Sequence, residues 1–174
     1  MIFKVTGYLD FTPADVSKKH SKQSVWKRTA MIRTDCELDR YYANFIEKRF
    51  TMDLNKNLRG THVTIISDRM DRDIFDEASK VFNGKNIDFY VDTEPRTNGN
   101  HWWLRVYCPD AESIRESIGL SRDPYFSFHL TLGHIKERDY DKEQGEYIFR
   151  QCKRFEILSS DPKPKFEDQI LKTF

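Results

Sequence analysis

The chain of 174 residues has little glycine and less cysteine, and neither is patterned. Gly7, Gly60, Gly84, Gly99, Gly119, Gly133 and Gly145 stand singly, which excludes a glycine-rich loop that cradles phosphates with its backbone amides. Cys36, Cys108 and Cys152 are odd in number, widely spaced and without a C-x-x-C pair. A disulfide framework is therefore not expected, and a reducing, cytoplasmic setting is. No H-E-x-x-H occurs, and the acids Asp68, Asp71 and Asp73 lack the glycine and terminal glutamate of an EF-hand loop; acids also suit a helix start. A net charge of +1 lacks the basic footprint of a duplex DNA binder, while a small anion held by a few local cations is compatible with it. No segment approaches the roughly 18 apolar residues of a membrane span, and residues 1–5 are too short a hydrophobic start for a signal peptide.

What is present reads as a soluble globular chain, 38% hydrophobic and 33% charged, long enough for a sizeable core in a single domain over residues 1–174. Residues 2–6 alternate as a strand. Residues 12–29 are polar and basic and read as a loop, whose solvated form competes with a phosphate-facing one. Tyr42, Phe45, Ile46 and Phe50 recur at helical spacing over 39–52. A turn-rich lead at 55–60 precedes a strand over 61–67. A helix follows over 71–82, stopped by Asn83-Gly84, then strands over 86–91 and 101–108, a helix over 109–118 opened by Pro109, and a strand over 126–133. A charged helix over 139–150, a strand over 153–158 and an amphiphilic end from 166 complete the reading.

Two strings stand out: Thr61-His62-Val63-Thr64-Ile65 and Phe128-His129-Leu130-Thr131-Leu132. Each holds a His, one apolar residue and a Thr inside an alternating apolar run. Side chains two apart in a strand share a face, so His62 projects with Thr64 and His129 with Thr131. Two imidazoles with adjacent hydroxyls suit phosphodiester chemistry: one ring removes a proton from the nucleophile, the other protonates the leaving oxygen. The hydroxyls hold the nonbridging oxygens as charge builds. A lone strand histidine is more often an ordinary hydrogen-bonded one. The matching parity, apolar framing and placement about 65 residues apart, in two similar α+β halves, weigh for the pair.

The paired motifs, the chain length and the α+β halves resemble the two-histidine (2H) phosphoesterase superfamily. That likeness spans most of the chain by architecture and two tripeptides by residue. It implies an α+β fold of two pseudosymmetric lobes, each a small, mostly antiparallel sheet with helices, around a central cleft. It further implies no metal and no cofactor, His62 and His129 as the acid–base pair, and Thr64 and Thr131 binding phosphate. The Pro or Arg signatures of the bacterial tRNA-processing members are missing. The chain looks more like phage-type members, which include enzymes that cut the cyclic oligonucleotide signals of bacterial CBASS defence. A cyclic oligonucleotide or short RNA-like substrate is implied, met in the host cytoplasm if the chain is viral. A 2′,3′-cyclic phosphodiesterase of RNA repair, an inactive nucleotide-binding module and a purely structural protein are the alternatives.

Substrate-binding candidates are aromatic or basic. Trp102 and Trp103 are strand neighbours facing opposite ways, one toward the core and the other a platform for a base. Trp26 and Lys27 lie in the basic stretch, where they suit a nucleotide and its phosphate. Tyr125 precedes the second motif and either lines the cleft or packs in the core, with packing favoured. His134 has the parity opposite to His129 and reads as structural or surface, and His20 and His101 have no matching partner.

Overall fold

A computed structural model describes residues 1–11, 13, 27–57 and 59–135. Trp26, His20 and every expectation beyond residue 135 lie outside the described residues. In chain order the elements are β1 (Ile2–Asp10), β2 (Lys27–Arg33), α1 (Leu38–Phe50), β3 (Leu54–Lys56), β4 (His62–Arg69), α2 (Arg72–Phe82), β5 (Asn86–Asp92), β6 (Arg96–Thr97), β7 (His101–Tyr107), α3 (Pro109–Ser117) and β8 (His129–Ile135).

Local chemistry explains the helix ends. α1 stops at Thr51, which adopts a left-handed conformation and donates its N–H to the Glu47 carbonyl. α2 starts at Asp71, whose carboxylate accepts the N–H groups of Asp73 at 2.8 Å and Ile74 at 3.4 Å. That cap accounts for the acidic run the sequence shows there. Pro109 opens α3 at a position needing no N–H donor.

The α+β class holds, but the strands form one sheet where two small sheets were expected. Its order is β3-β8-β4-β2-β1-β5-β7-β6, and β8 also pairs β7. Six strands, β8-β4-β2-β1-β5-β7, therefore close into a barrel, all by antiparallel pairing. Separate lobes with a cleft between them are not what this pairing shows: β8 shares ladders with both halves, and β1 with β5 closes the opposite side. The order strand–strand–helix–strand nevertheless occurs twice around the ring, as β1-β2-α1-β4 and β5-β7-α3-β8.

The register divides the sheet into a helix-covered face and an inner one. Leu9, Ile32, Val63, Leu130 and Leu104 lie side by side across five strands, all buried in one apolar cluster with Ala43 and Ile46 of α1, Phe75 and Ala78 of α2, and Ala111 and Ile114 of α3. A ring of six strands has no room inside for three helices, so the helices lie outside it. The face turned away from them is the barrel's interior. A one-residue slip of β4 or β8 would exchange these residues for histidine and threonine. At about 1.5–3 kcal/mol for each buried aliphatic side chain, displacing the row would consume a large part of a typical fold's stability of about 5–15 kcal/mol. The register is locked by the core.

Several boundaries differ from expectation for identifiable reasons. β2 falls partly in the stretch read as loop, because Lys27, Arg28 and Thr29 hide its pattern; a bulge between Ala30 and Met31 shifts its alternation as well. β3, read as turn, pairs β8 through Leu54↔Ile135. The second motif strand begins at His129, three residues later than expected. Phe126, read as the start of that strand, is exposed and lies edge to face with Tyr125 at 4.8 Å.

Candidate functional site

β4 and β8 meet through Val63 opposite Leu130. Counting one residue outward on each side of an antiparallel pair sets His62 opposite Thr131 and Thr64 opposite His129. All four share the face opposite the apolar row, so they point into the barrel. Each histidine thus has its own motif's threonine two residues along its strand and the other motif's threonine across from it. The two histidines lie on a diagonal, a relation that places Cα atoms about 7–8 Å apart.

Neighbouring strands extend both rows. Arg33 lies beside His62 and Trp103 beside Thr131; Met31 lies beside Thr64 and Arg105 beside His129. Met31 is fully buried yet stands outside the apolar cluster, as a residue beneath the site should. Arg33 is anchored: its Nε donates to Asp10 Oδ2 at 2.6 Å and its Nη1 to the Arg59 carbonyl at 3.2 Å.

The two rings are oriented by the same device. His62 Nδ1 lies 3.0 Å from the Gly60 carbonyl, and His129 Nδ1 lies 2.8 Å from that of Ser127. Each carbonyl belongs to the residue two before the histidine. A carbonyl only accepts, so Nδ1 carries the hydrogen in His129 and Nε2 is the basic nitrogen of its neutral form; His62 Nδ1 also lies 3.2 Å from Asn57 Nδ2, an amide donor. Asn57 Nδ2 also donates to the Gly60 carbonyl, at 3.1 Å, occupying its second lone pair. Burial pushes the His129 imidazole below its ordinary pKa, and the Ser127 hydrogen bond opposes this only in part.

Further out, Thr61 donates its hydroxyl to the buried Asp39 carboxylate of α1 at 2.5 Å, fixing the residue before His62. At the other end of the motif, Ile65 is the residue that the β2 bulge leaves unopposed. Arg115 of α3 takes its carbonyl at 2.7 Å. Chemically, the arrangement offers two imidazoles and two hydroxyls around one spot, the set needed to move protons to and from a group held between them.

The other candidates separate. Trp102 is fully buried on the helix-covered face, its ring 5.3 Å from Phe50, while Trp103 faces inward beside Thr131. Lys27 opens β2 opposite Arg69. Tyr125 is 89% exposed, which overturns the favoured packing role: the turn before β8 turns it away from the core. His101 does have a partner: it pairs across strands with His134, the rings stacked at 5.5 Å. Burial, then the nearby His134, lower the His101 pKa. Arg33 and Arg105 are site neighbours that the motif reading missed. Arg105 follows Trp103 by two, so strand alternation alone would have put it on the same face.

Among the described residues, no three His, Cys, Asp or Glu side chains converge as a metal site requires, and no helix is long and apolar enough to cross a membrane. Comparison with protein-family models, curated proteins and solved structures finds no match to this chain.

Proposed function

We propose that the chain is a two-histidine phosphodiesterase acting on an RNA-like 3′–5′ phosphodiester, with cyclic oligonucleotide messengers of bacterial antiphage signalling as its substrate class and the cytoplasm as its place of action. One observation carries the reading. The antiparallel register sets each histidine across from the other motif's threonine, with both rings held through Nδ1 by the carbonyl two residues before. In this reading the polar barrel interior stands where a cleft between two lobes was expected.

A phosphate above the Val63–Leu130 pair would have one imidazole on each side, as in-line displacement requires. His129 is kept neutral by burial, so its Nε2 takes the proton of the attacking water or ribose 2′-hydroxyl. His62, protonated, gives its proton to the leaving oxygen as the old P–O bond breaks and the new one forms. The Thr64 and Thr131 hydroxyls donate to the nonbridging oxygens. A bell-shaped pH profile follows from one neutral and one protonated ring.

The test is incubation with cyclic dinucleotides, cyclic trinucleotides and 2′,3′-cyclic nucleotides, with and without EDTA, read by mass spectrometry. Expected is EDTA-insensitive opening of a cyclic oligonucleotide, with His62→Ala and His129→Ala each slowing turnover by about 10²–10⁴-fold while still binding substrate. Cleavage confined to 2′,3′-cyclic nucleotides would move the assignment to RNA repair. Binding without product would make the chain a sequestering module, and a strict need for added metal would refute the mechanism.

A further inference from the structure

Arg105 is 8% exposed and lies beside His129 on the inward face. Among the described residues it makes no hydrogen bond and no ion pair. The other deeply placed arginines behave differently: Arg33 holds Asp10 at 2.6 Å, Arg115 holds Asp68 at 2.8 Å and Arg96 holds Asp92 at 3.5 Å. Asp92 is also the carboxylate nearest Arg105 in register, one step past the Val91↔Val106 pair. It is engaged instead by Arg96 and by the Glu94 N–H at 3.2 Å.

A guanidinium is charged at every relevant pH, and a buried charge is ordinarily paired. This one is kept without a carboxylate on a face that carries two imidazoles and two threonine hydroxyls. We infer that Arg105, with Thr64 and His129 in its row, forms an oxyanion site that takes the nonbridging oxygens of a phosphoryl group through the paired N–H groups of its fork. The opposite flank offers no equivalent, since the Arg33 guanidinium is already held by Asp10 and the Arg59 carbonyl. Incoming phosphate charge is therefore drawn toward the β7 side, where Trp103 stands in the adjacent row. The identity of the group as a substrate phosphate rests on the phosphodiesterase reading; its binding is measurable without it.

The test titrates inorganic phosphate into the full chain, read by calorimetry and by the His129 ring resonances. The wild type and Arg40→Gln, a change in an exposed surface pair with Glu37, should bind alike. Arg105→Gln should bind about tenfold more weakly or worse, and Arg105→Lys should fall between, because an ammonium keeps the charge and loses the fork. Wild-type affinity in Arg105→Gln, or no binding by the wild type at tens of millimolar phosphate, overturns the inference. If Arg105→Gln melts early, Arg105→Lys decides, and unchanged affinity there also overturns it. Arg105-dependent phosphate binding in a protein that opens no phosphodiester would keep the oxyanion site and remove the enzyme. Turnover that needs both histidines, with Arg105→Gln at wild-type kcat/KM and phosphate affinity, would do the reverse.

Discussion

Replacing Arg115 with methionine should be among the most damaging single changes away from the site. The side chain is 2% exposed and makes three hydrogen bonds: to the Ile65 carbonyl at 2.7 Å, to Asp68 Oδ2 at 2.8 Å and to the Ser121 carbonyl at 2.8 Å. Methionine keeps the aliphatic stem and removes every donor. The Ile65 carbonyl then loses this donor in the interior, beside the β2 bulge, and the Asp68 carboxylate loses the guanidinium. Breaking a buried pair costs about 3–5 kcal/mol. Asp68 is 35% exposed and regains water, so the low end, about 3 kcal/mol, applies. For a chain of this size, that lowers Tm by about 6–12 °C. Thermal and urea unfolding measure it, and Asp68→Asn, which keeps an oxygen acceptor for the guanidinium at the partly solvated end of the pair, should cost less than Arg115→Met. A Tm change under about 2 °C in Arg115→Met would refute the claim that this guanidinium holds β4 to α3.

The two adjacent tryptophans should part company on mutation. Trp102→Ala should cost about 3–5 kcal/mol of stability, measured by urea unfolding, because it empties the core against Phe50. Trp103→Ala should leave the midpoint within about 1 kcal/mol of the wild type and raise KM for a cyclic oligonucleotide, in line with stacking worth about 1–3 kcal/mol per base; the opposite pattern would mean the faces are misassigned. Stability should also fall on acidification. His129 and His101 both titrate below the ordinary imidazole value in the folded chain, so the unfolded chain takes protons first as pH drops through about 6.5. Their contribution is complete above that pH and is lost below it, until the folded pKa is reached. Urea midpoints between pH 7.5 and about 5 should slope less in His129→Gln and in His101→Asn than in the wild type; parallel slopes would contradict the lowered pKa of both rings.

Much of this arrangement was legible in periodicity. The three described helices and the strands carrying His62, Phe89 and Trp103 show their pattern plainly, because each buries one face. Both His-x-Thr strings declared their parity for the same reason. What stayed hidden was whatever depended on partners distant in sequence. β2 buries Ala30 and Ile32 but opens on charged residues, and its bulge breaks the alternation that would have shown it. Barrel closure rests on β8 pairing with both β4 and β7, which no local pattern encodes. Arg105 looked like any strand arginine until the register set it beside His129. The stacked His101–His134 pair was invisible for the same cause.

Two like motifs on adjacent antiparallel strands produce a site with local twofold symmetry: histidine across from threonine, twice, about the Val63–Leu130 pair. Perfect symmetry would leave the histidines equivalent, and an acid–base pair needs them different. The difference comes from the flanking strands. On the β2 side, Arg33 is neutralised by Asp10 and Met31 lies buried beside Thr64; on the β7 side, half-buried His129 lies next to a guanidinium that no carboxylate holds. A nearby positive charge favours the neutral imidazole. The proposed division, His129 as base and His62 as acid, therefore follows from what β2 and β7 place around two otherwise identical tripeptides, and exchanging the flanking residues should exchange the roles.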